Sequence, residues 1–378
     1  MEKLKTHEED SRAILVQVIA GNRNRREAID SLAELQRLSH TAGVSVLGSI
    51  TQYRNKPDPG FFVGRGKLEE IQLACKEAEA HMLIFDNPLA PAQVNNLDLS
   101  LGVKVIDRTE LILQIFAQRA NTSESQIQVE FAQLQYLVSR IPVSEAQQRF
   151  KGGIGMKGPG ESPFQLRRAP MVRRIADLKR KLEQIKQHRH RTRARRPWPT
   201  VSIVGYTNAG KSTLLNTLSD AGVYVDDKLF ATLDTKSRLI YFGENQHAMF
   251  VDTVGFIRNL PHDLVASFRS TLEEVVEADL LLVVAETVHP YVREHLDVVN
   301  KTLAELNAAD IPRLLVFNKT DRPGADNALK SLLTDYPDAI PISALSMSGL
   351  DELKNKIQSI LFGSTPGEDD LKINSEEA

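Results

Sequence analysis

The stretch VSIVGYTNAGKSTLLN, residues 201–216, carries the residues best suited to chemistry. A β-rich run leads into G-x-x-x-x-G-K-S, formed by Gly205, Gly210, Lys211 and Ser212, and an amphipathic helical pattern follows. A loop of this kind wraps phosphates with backbone N–H groups, so glycine is needed where a side chain would collide. The expected lining is Gly205, Tyr206, Thr207, Asn208, Ala209, Gly210, Lys211, Ser212 and Thr213. Lys211 would reach the β- and γ-phosphates, and the Ser212 hydroxyl would ligate Mg²⁺.

Three further segments follow in a fixed order. FATLD (230–234) supplies Phe230, Ala231 and Thr232, the last offering a second hydroxyl to Mg²⁺. A segment of this kind orders when the γ-phosphate is present. HAMFVDTVGF (247–256) reads as an apolar strand ending in D-x-x-G, with Asp252, Thr253, Val254 and Gly255. Asp252 can hold Mg²⁺ through water, and the Gly255 N–H can face the γ-phosphate. PRLLVFNKTD (312–321) ends a strand in Asn318, Lys319 and Asp321. The Asp321 carboxylate can accept from the guanine N1–H and its exocyclic amine, a pair that adenine lacks. Asn318 would support the base edge, with the Lys319 stem along its plane. AIPISA (339–344) offers Ser343 and the Ala344 backbone to complete the pocket. The nucleotide these residues select is GTP, with Lys211, Thr232 and Gly255 as the hydrolytic group.

Ras-like GTPases place a Gln after the D-x-x-G glycine to orient the attacking water. Here that residue is Phe256, so another element must align the water and intrinsic hydrolysis should be slow. Asn208 has two readings: a ligand for a monovalent cation such as K⁺, or a loop-stabilising hydrogen bond.

The elements that must position these groups can be read from periodicity. The first hundred residues alternate short apolar runs (13–18, 44–53, 81–86, 103–107) with helical patterns (28–38, 67–80, 91–101), implying a small parallel sheet covered by helices. FFVGRGKLEE (61–70) is either an anion site at a helix N-terminus or a plain connection. From about Thr109 to Arg196 the period changes. Ile127, Phe131, Leu134, Val138 and Ile141 form one apolar seam, and Met171, Ile175, Leu178, Leu182 and Ile185 another. One chain pairs them as an antiparallel hairpin. The connecting segment, about 142–165, contains KGGIGMKGPGE and adds Arg149, Lys151 and Lys157. It reads as a basic tip that approaches folded RNA closely, or as a surface loop.

Charge is distributed unevenly. Between Gln165 and Arg196 thirteen Lys/Arg face only Asp177 and Glu183, whereas the whole chain of 378 residues carries −2. That asymmetry points to a polyanion partner, with a solvated helix face as the alternative. His188 and His190 lie among arginines, which disfavours a metal there. The lone Cys75 excludes internal disulfides and suits a packed thiol in a reducing compartment. MEKLKTHEED lacks the apolar core of a signal peptide, and no apolar run reaches the roughly 18 residues that span a bilayer. The expected compartment is the cytoplasm, and the features suit a monomer.

Together these residues resemble the HflX family of ribosome-associated GTPases. The likeness rests on FFVGRGKLEE, GPGE (158–161), GYTNAGKST, LFATLDT, VDTVGFIRNLPH, FRSTLEEVVEADLLL and NKTD, spread from about residue 11 to 362. It implies an α/β N-terminal domain (1–108), an antiparallel helical hairpin (109–197) and a Ras-like P-loop GTPase domain with a mainly parallel sheet (198–364). An acidic tail (365–378) would be disordered. The resemblance also implies binding of the large ribosomal subunit, dissociation of stalled or idle 70S ribosomes under stress, and hydrolysis stimulated by the ribosome. Family members are linked to ATP binding and RNA unwinding as well, although the sequence has no second P-loop. Two departures stand out. After GPGE the family's T-Q-L-E-x-D-R-R is replaced by SPFQLRRAPMVRR, where Pro163 and Pro170 should disrupt or delay the helix start. Where V-D-A-S is common, this chain has VAET (284–287), outside the phosphate contacts. The alternatives are a large-subunit assembly GTPase, a nucleotide-regulated ribosome-binding scaffold and an ATP-driven RNA helicase.

Overall fold

A computed structural model describes residues 12–21, 25–141, 163–193, 197–219, 229–230, 233–243, 245–258 and 274–363. Residues 142–162 of the expected hairpin tip, Ala231 and Thr232, the LPH motif, residues 270–273 of STLEE and the acidic tail lie outside these residues. Two compact units meet in sequence between Lys186 and Gln187. Each is described by itself.

The first unit begins with β1 (Arg12–Ala20), α1 (Arg25–Thr41), β2 (Ser45–Arg54), α2 (Arg65–Glu77), β3 (Met82–Phe85), α3 (Pro91–Leu101) and β4 (Lys104–Asp107). The four strands are parallel in the order β2-β1-β3-β4. Alternation of strand and helix produces this because parallel neighbours need a crossover, and the helix supplies it. One face of the sheet buries Ile14, Val16, Val18, Leu83, Phe85 and Val105 against α2 and α3. Cys75 packs into that layer, where burial pushes its thiol above the usual range. At the start of α2 the Gly64 N–H donates to Gln52 Oε1 at 3.0 Å, and Arg54 lies over Gly64.

On the other face, a charged cluster holds α1 to the sheet. Arg108 pairs with Asp86 at 2.8 Å and with Glu34, and Ser31 Oγ and Gln17 Nε2 donate to Asp86. All five side chains are buried. Burial alone would raise the Asp86 carboxyl, but Arg108, Gln17 and Ser31 together hold it below its ordinary value.

Helices α4 (Arg108–Arg119), α5 (Ser123–Arg140) and α6 (Pro163–Arg193) follow. Asp107 and Thr122 cap the first two through Glu110 N and Ser125 N. Helix α5 turns its most buried face, Ser125, Gln128, Val129 and Ala132, away from the expected seam; Ile127, Phe131, Leu134 and Val138 are only half-buried. A tertiary partner decides this: α5 packs on α4. In α6 the expected seam holds, with Leu178 buried and Met171, Ile175, Leu182 and Ile185 half-buried among exposed neighbours. Arg174 bridges to Glu130 through two bonds of 2.7 and 2.8 Å. The two prolines do not disrupt the start. Pro163 is the first helical residue, where a missing N–H costs nothing, and Pro170 lies exposed in a helix that continues past it.

The second unit contains β5 (Thr200–Gly205), α7 (Lys211–Leu218), β6 (Lys236–Gly243), β7 (Gln246–Asp252), β8 (Leu280–Glu286), α8 (Val292–Glu305), β9 (Arg313–Asn318), α9 (Ala325–Asp335), β10 (Ile340–Pro341) and α10 (Leu350–Phe362). The sheet order is β10-β9-β8-β5-β7-β6, parallel except for β6. Val201, Ile203, Phe250, Leu282, Val316 and Ile342 form its core. β5, β7, β8 and β9 all direct their carboxyl ends to one edge, where ligands bind in open parallel sheets. No described helix is long and apolar enough to cross a membrane.

Candidate functional site

The loop after β5 is shaped around Lys211, the first residue of α7. Its buried Nζ donates to Gly205 O at 3.2 Å and to Tyr206 O at 2.9 Å. Burial lowers its pKa to about 8; Asp252 opposes that effect and Lys319 adds to it. Gly210 precedes it with φ 93°, and a Cβ there would lie 2.2 Å from Asn318 Nδ2. Only glycine permits both the backbone angle and the approach. Asn208 also has a positive φ, 62°, and is half-buried. Thr213 sits in the first turn of α7, its carbonyl accepting from Thr217 Oγ1.

Ser212 and Asp252 meet directly. The Ser212 hydroxyl donates to Asp252 Oδ2 at 2.6 Å, and Asp252 is fully buried at the end of β7. Register places this carboxylate because Asp252 pairs with Ile203, two residues before the loop. Thr253 Oγ1 donates to Ile203 O at 2.8 Å, and Val254 is nearly buried. Gly255 lies against the loop: a Cβ there would be 2.8 Å from Thr207 Cα and 2.9 Å from Lys211 Nζ. Phe256 extends the contact as a parallel bridge to Tyr206, with Thr207 N donating to Phe256 O at 2.8 Å and Phe256 N to Gly205 O at 3.1 Å. The Phe256 ring is buried, so it fills core rather than facing solvent. Phe230, at φ 55°, is buried as well.

At the ends of β9 and β10 the second group assembles. Asn318 is buried, and its amide joins two loops: Nδ2 donates to Ala209 O at 2.9 Å, and Oδ1 accepts from Ala344 N at 3.0 Å. Thr217 Oγ1 donates to Ala344 O at 2.9 Å. Exposed Asp321 is oriented by Ser343, whose Oγ donates to Oδ1 at 2.5 Å and accepts from Ser346 N at 3.0 Å. Lys319, at φ 67°, turns its Nζ to Glu286 at 2.9 Å.

Three contacts escape sequence reasoning. Tyr206 stacks on His295 of α8 with centroids 3.6 Å apart and planes 3° from parallel, while its hydroxyl accepts from Arg258 N at 2.9 Å. Glu286 and Thr287 reach Lys319 and Asn318. The only local signal for the latter was the unusual VAET stretch. Nothing local marks His295.

Hard oxygen donors at Ser212 and Asp252 fit Mg²⁺, which prefers such ligands and keeps several waters. One part of the expected donor set, Thr232, lies outside the described residues.

Residues 29–117 match the family described as "GTP-binding GTPase N-terminal", residues 119–196 "GTP-binding GTPase Middle Region", and residues 200–319 "50S ribosome-binding GTPase". A protein of Caldanaerobacter subterraneus named "GTPase HflX" is 44% identical over 369 residues, covering 97% of this chain and 83% of the relative. The Escherichia coli protein of the same name is 43% identical over 344 residues, covering 89% and 80%. Among solved structures, the complex of SsGBP with GDP shares 28% identity at a TM-score of 0.50, covering 93% of this chain and 98% of that one.

Proposed function

The chain belongs to the HflX family of GTPases, and from that premise we propose that it binds the large ribosomal subunit and dissociates stalled or idle 70S ribosomes under stress. It hydrolyses GTP to GDP and phosphate. The observation that carries the ribosome reading is the union of this nucleotide site with α6. That helix exposes Arg168, Arg173, Lys179, Lys181, Lys186 and Arg191, a charge suited to rRNA phosphates. The family description "50S ribosome-binding GTPase" supports the same partner.

In this reading Lys211 would hold the β- and γ-phosphates, and Ser212, Asp252 and Thr232 would hold Mg²⁺, which when bound would offset charge on the phosphates. The Gly255 N–H would meet the γ-phosphate, and the closeness of Thr207 and Lys211 leaves no room there for a side chain. Asp321 reads guanine, oriented by Ser343, while Asn318 keeps the two loops in register. With Phe256 buried, alignment of the attacking water falls to the ribosome, so free protein turns over slowly. Asn208 is the candidate K⁺ ligand; equal hydrolysis in NaCl and KCl would remove it. The protein acts as a monomer in the cytoplasm, splitting ribosomes in the GTP form and leaving after hydrolysis.

The test is GTP turnover alone and with increasing large subunits, followed by 70S light scattering. Saturable stimulation, with splitting preserved in a non-hydrolysable analogue, is the expected result. Absence of stimulation with GTP still bound would favour the scaffold reading, which the buried Phe256 also suits.

A further inference from the structure

Strand β8 ends in Glu286, and Thr287 follows it. The parallel register pairs Glu286 with Asn318 at the end of β9. Four bonds then run from these two residues to the segment that carries Asp321. Glu286 Oε2 accepts from Lys319 Nζ at 2.9 Å, and Oε1 accepts from Arg322 NH1 at 2.7 Å. Thr287 N and Thr287 Oγ1 both donate to Asn318 O, at 2.9 and 2.7 Å. Thr287 is buried, and the side chains of Glu286 and Lys319 are each only 14% exposed, against 45% for Arg322.

An exposed ion pair of this kind contributes little, because water screens it and two long side chains must be ordered. The Glu286–Lys319 pair is different because most of it lies beneath the surface. A lysine free to rotate must be ordered when the base arrives, and that cost subtracts from affinity. A carboxylate that already fixes the lysine moves the cost into folding. The peptide after Asn318 is fixed in the same way. Its carbonyl is held twice by Thr287, which sets the direction in which Lys319 and Asp321 leave the strand.

We propose that Glu286 and Thr287 are positioning residues for guanine recognition: Glu286 fixes Lys319 and Thr287 fixes the Asn318 peptide, so the base pocket is formed before nucleotide enters. This rests on the reading of Asn318, Lys319 and Asp321 as the base pocket. The side-chain bonds of both residues go to Asn318, Lys319 and Arg322 rather than to the loop around Lys211. Their effect therefore falls equally on GDP and GTP, and on dissociation rather than on the chemical step.

Stopped-flow binding of fluorescent GDP and GTP analogues to the full chain tests this. Glu286→Gln is the variant least able to disturb the fold, and Glu286→Ala removes the contact outright. Both should raise the dissociation rate constant of the two nucleotides by a common factor, roughly five- to tenfold for Ala, with kcat at saturating GTP unchanged. Glu286→Asp should recover part of the loss. In a Lys319→Ala background, Glu286→Ala should add nothing, whereas a merely structural role would add its full effect. Arg322→Ala, which leaves the carboxylate on Lys319, should stay within about twofold of the parent. Unchanged dissociation in Glu286→Ala, or additivity with Lys319→Ala, would overturn the proposal. Failure of the parent to bind guanine nucleotide would instead overturn the base-pocket reading beneath it.

Discussion

Ser212 donates its hydroxyl proton to Asp252 across 2.6 Å, joining the first turn of α7 to the end of β7. The two residues stand 40 positions apart, and the β5–β7 register brings them together. A hydroxyl and a buried carboxylate in contact form a compact oxygen pair for Mg²⁺. Asp252→Asn keeps the shape and removes the charge. It should lower Mg²⁺ affinity by about 10–100-fold, as loss of a group that orients the metal shell does. A Mg²⁺ titration of GTP hydrolysis checks this: the half-saturating concentration should rise, with part of the rate recovered at high Mg²⁺. An unchanged titration curve would remove Asp252 from the metal site.

Lys211 gives a pH dependence with a definite sign. Burial lowers its pKa to about 8 in the protein without nucleotide, from an ordinary 10.5. Below pH 8 the ammonium is charged in both folded and unfolded chains, and burial is a full penalty. Between the two values the folded state sheds its proton first, so the free protein gains stability as pH rises. Bound phosphates reverse the preference by favouring the charged form. Nucleotide binding should therefore take up a proton above about pH 8, and affinity should fall as pH rises. Calorimetry of GDP binding in two buffers of different ionisation enthalpy reports the uptake. Zero uptake at pH 8.5 would mean that Lys211 is charged throughout.

Asp321 should decide which base is bound. Its carboxylate is exposed and held by Ser343, with its other oxygen available to a base edge. Two bonds to a charged acceptor are worth about 3–6 kcal/mol together, or roughly 10²- to 10⁴-fold in affinity. Asp321→Asn should lose that much for GTP and gain for xanthosine triphosphate, which presents an acceptor in place of the exocyclic amine. Competition binding with the two nucleotides measures the switch. Retained preference for GTP would mean that another group reads the base.

Local motifs made most of this site legible. The phosphate loop, D-x-x-G and N-K-x-D each lie within one strand end, so their chemistry is written in consecutive residues. What stayed hidden depends on packing between distant elements. Tyr206 and His295 stack across 89 positions with no local pattern to show it. Asn318 reads as a base contact by type, but the sequence does not show that its amide also ties Ala209 to Ala344. Helix α5 buries Val129 and Ala132 more deeply than Ile127 and Phe131, and periodicity alone cannot say which neighbour a two-sided helix prefers. The α6 seam is legible because its exposed positions are mostly Lys and Arg. At Pro170 a single exposed proline removes one hydrogen bond from a helix of 31 residues that has many others, so the helix runs through it.

The buried cluster around Arg108 supplies a prediction for the first unit. Asp86 and Glu34 share this one guanidinium, and both side chains are buried. Arg108→Met leaves two carboxylates buried without their cation, which should cost about 3–5 kcal/mol at neutral pH. The pH dependence should also change sign. In the parent, Asp86 lies below its ordinary pKa, so its contribution is present above that value and is lost as pH falls through the lowered one. In Arg108→Met the burial of Asp86 is no longer opposed by the guanidinium and raises its carboxyl, so acidification from pH 7 to 5 should restore stability. Hydrogen exchange of the β3 peptide, followed by mass spectrometry at both pH values and corrected for intrinsic rate, separates the cases. Protection should fall at pH 7 in the variant and recover at pH 5. A variant whose β3 protection matches the parent at pH 7 would show that Gln17 and Ser31 alone satisfy Asp86, leaving Arg108 no stabilising part.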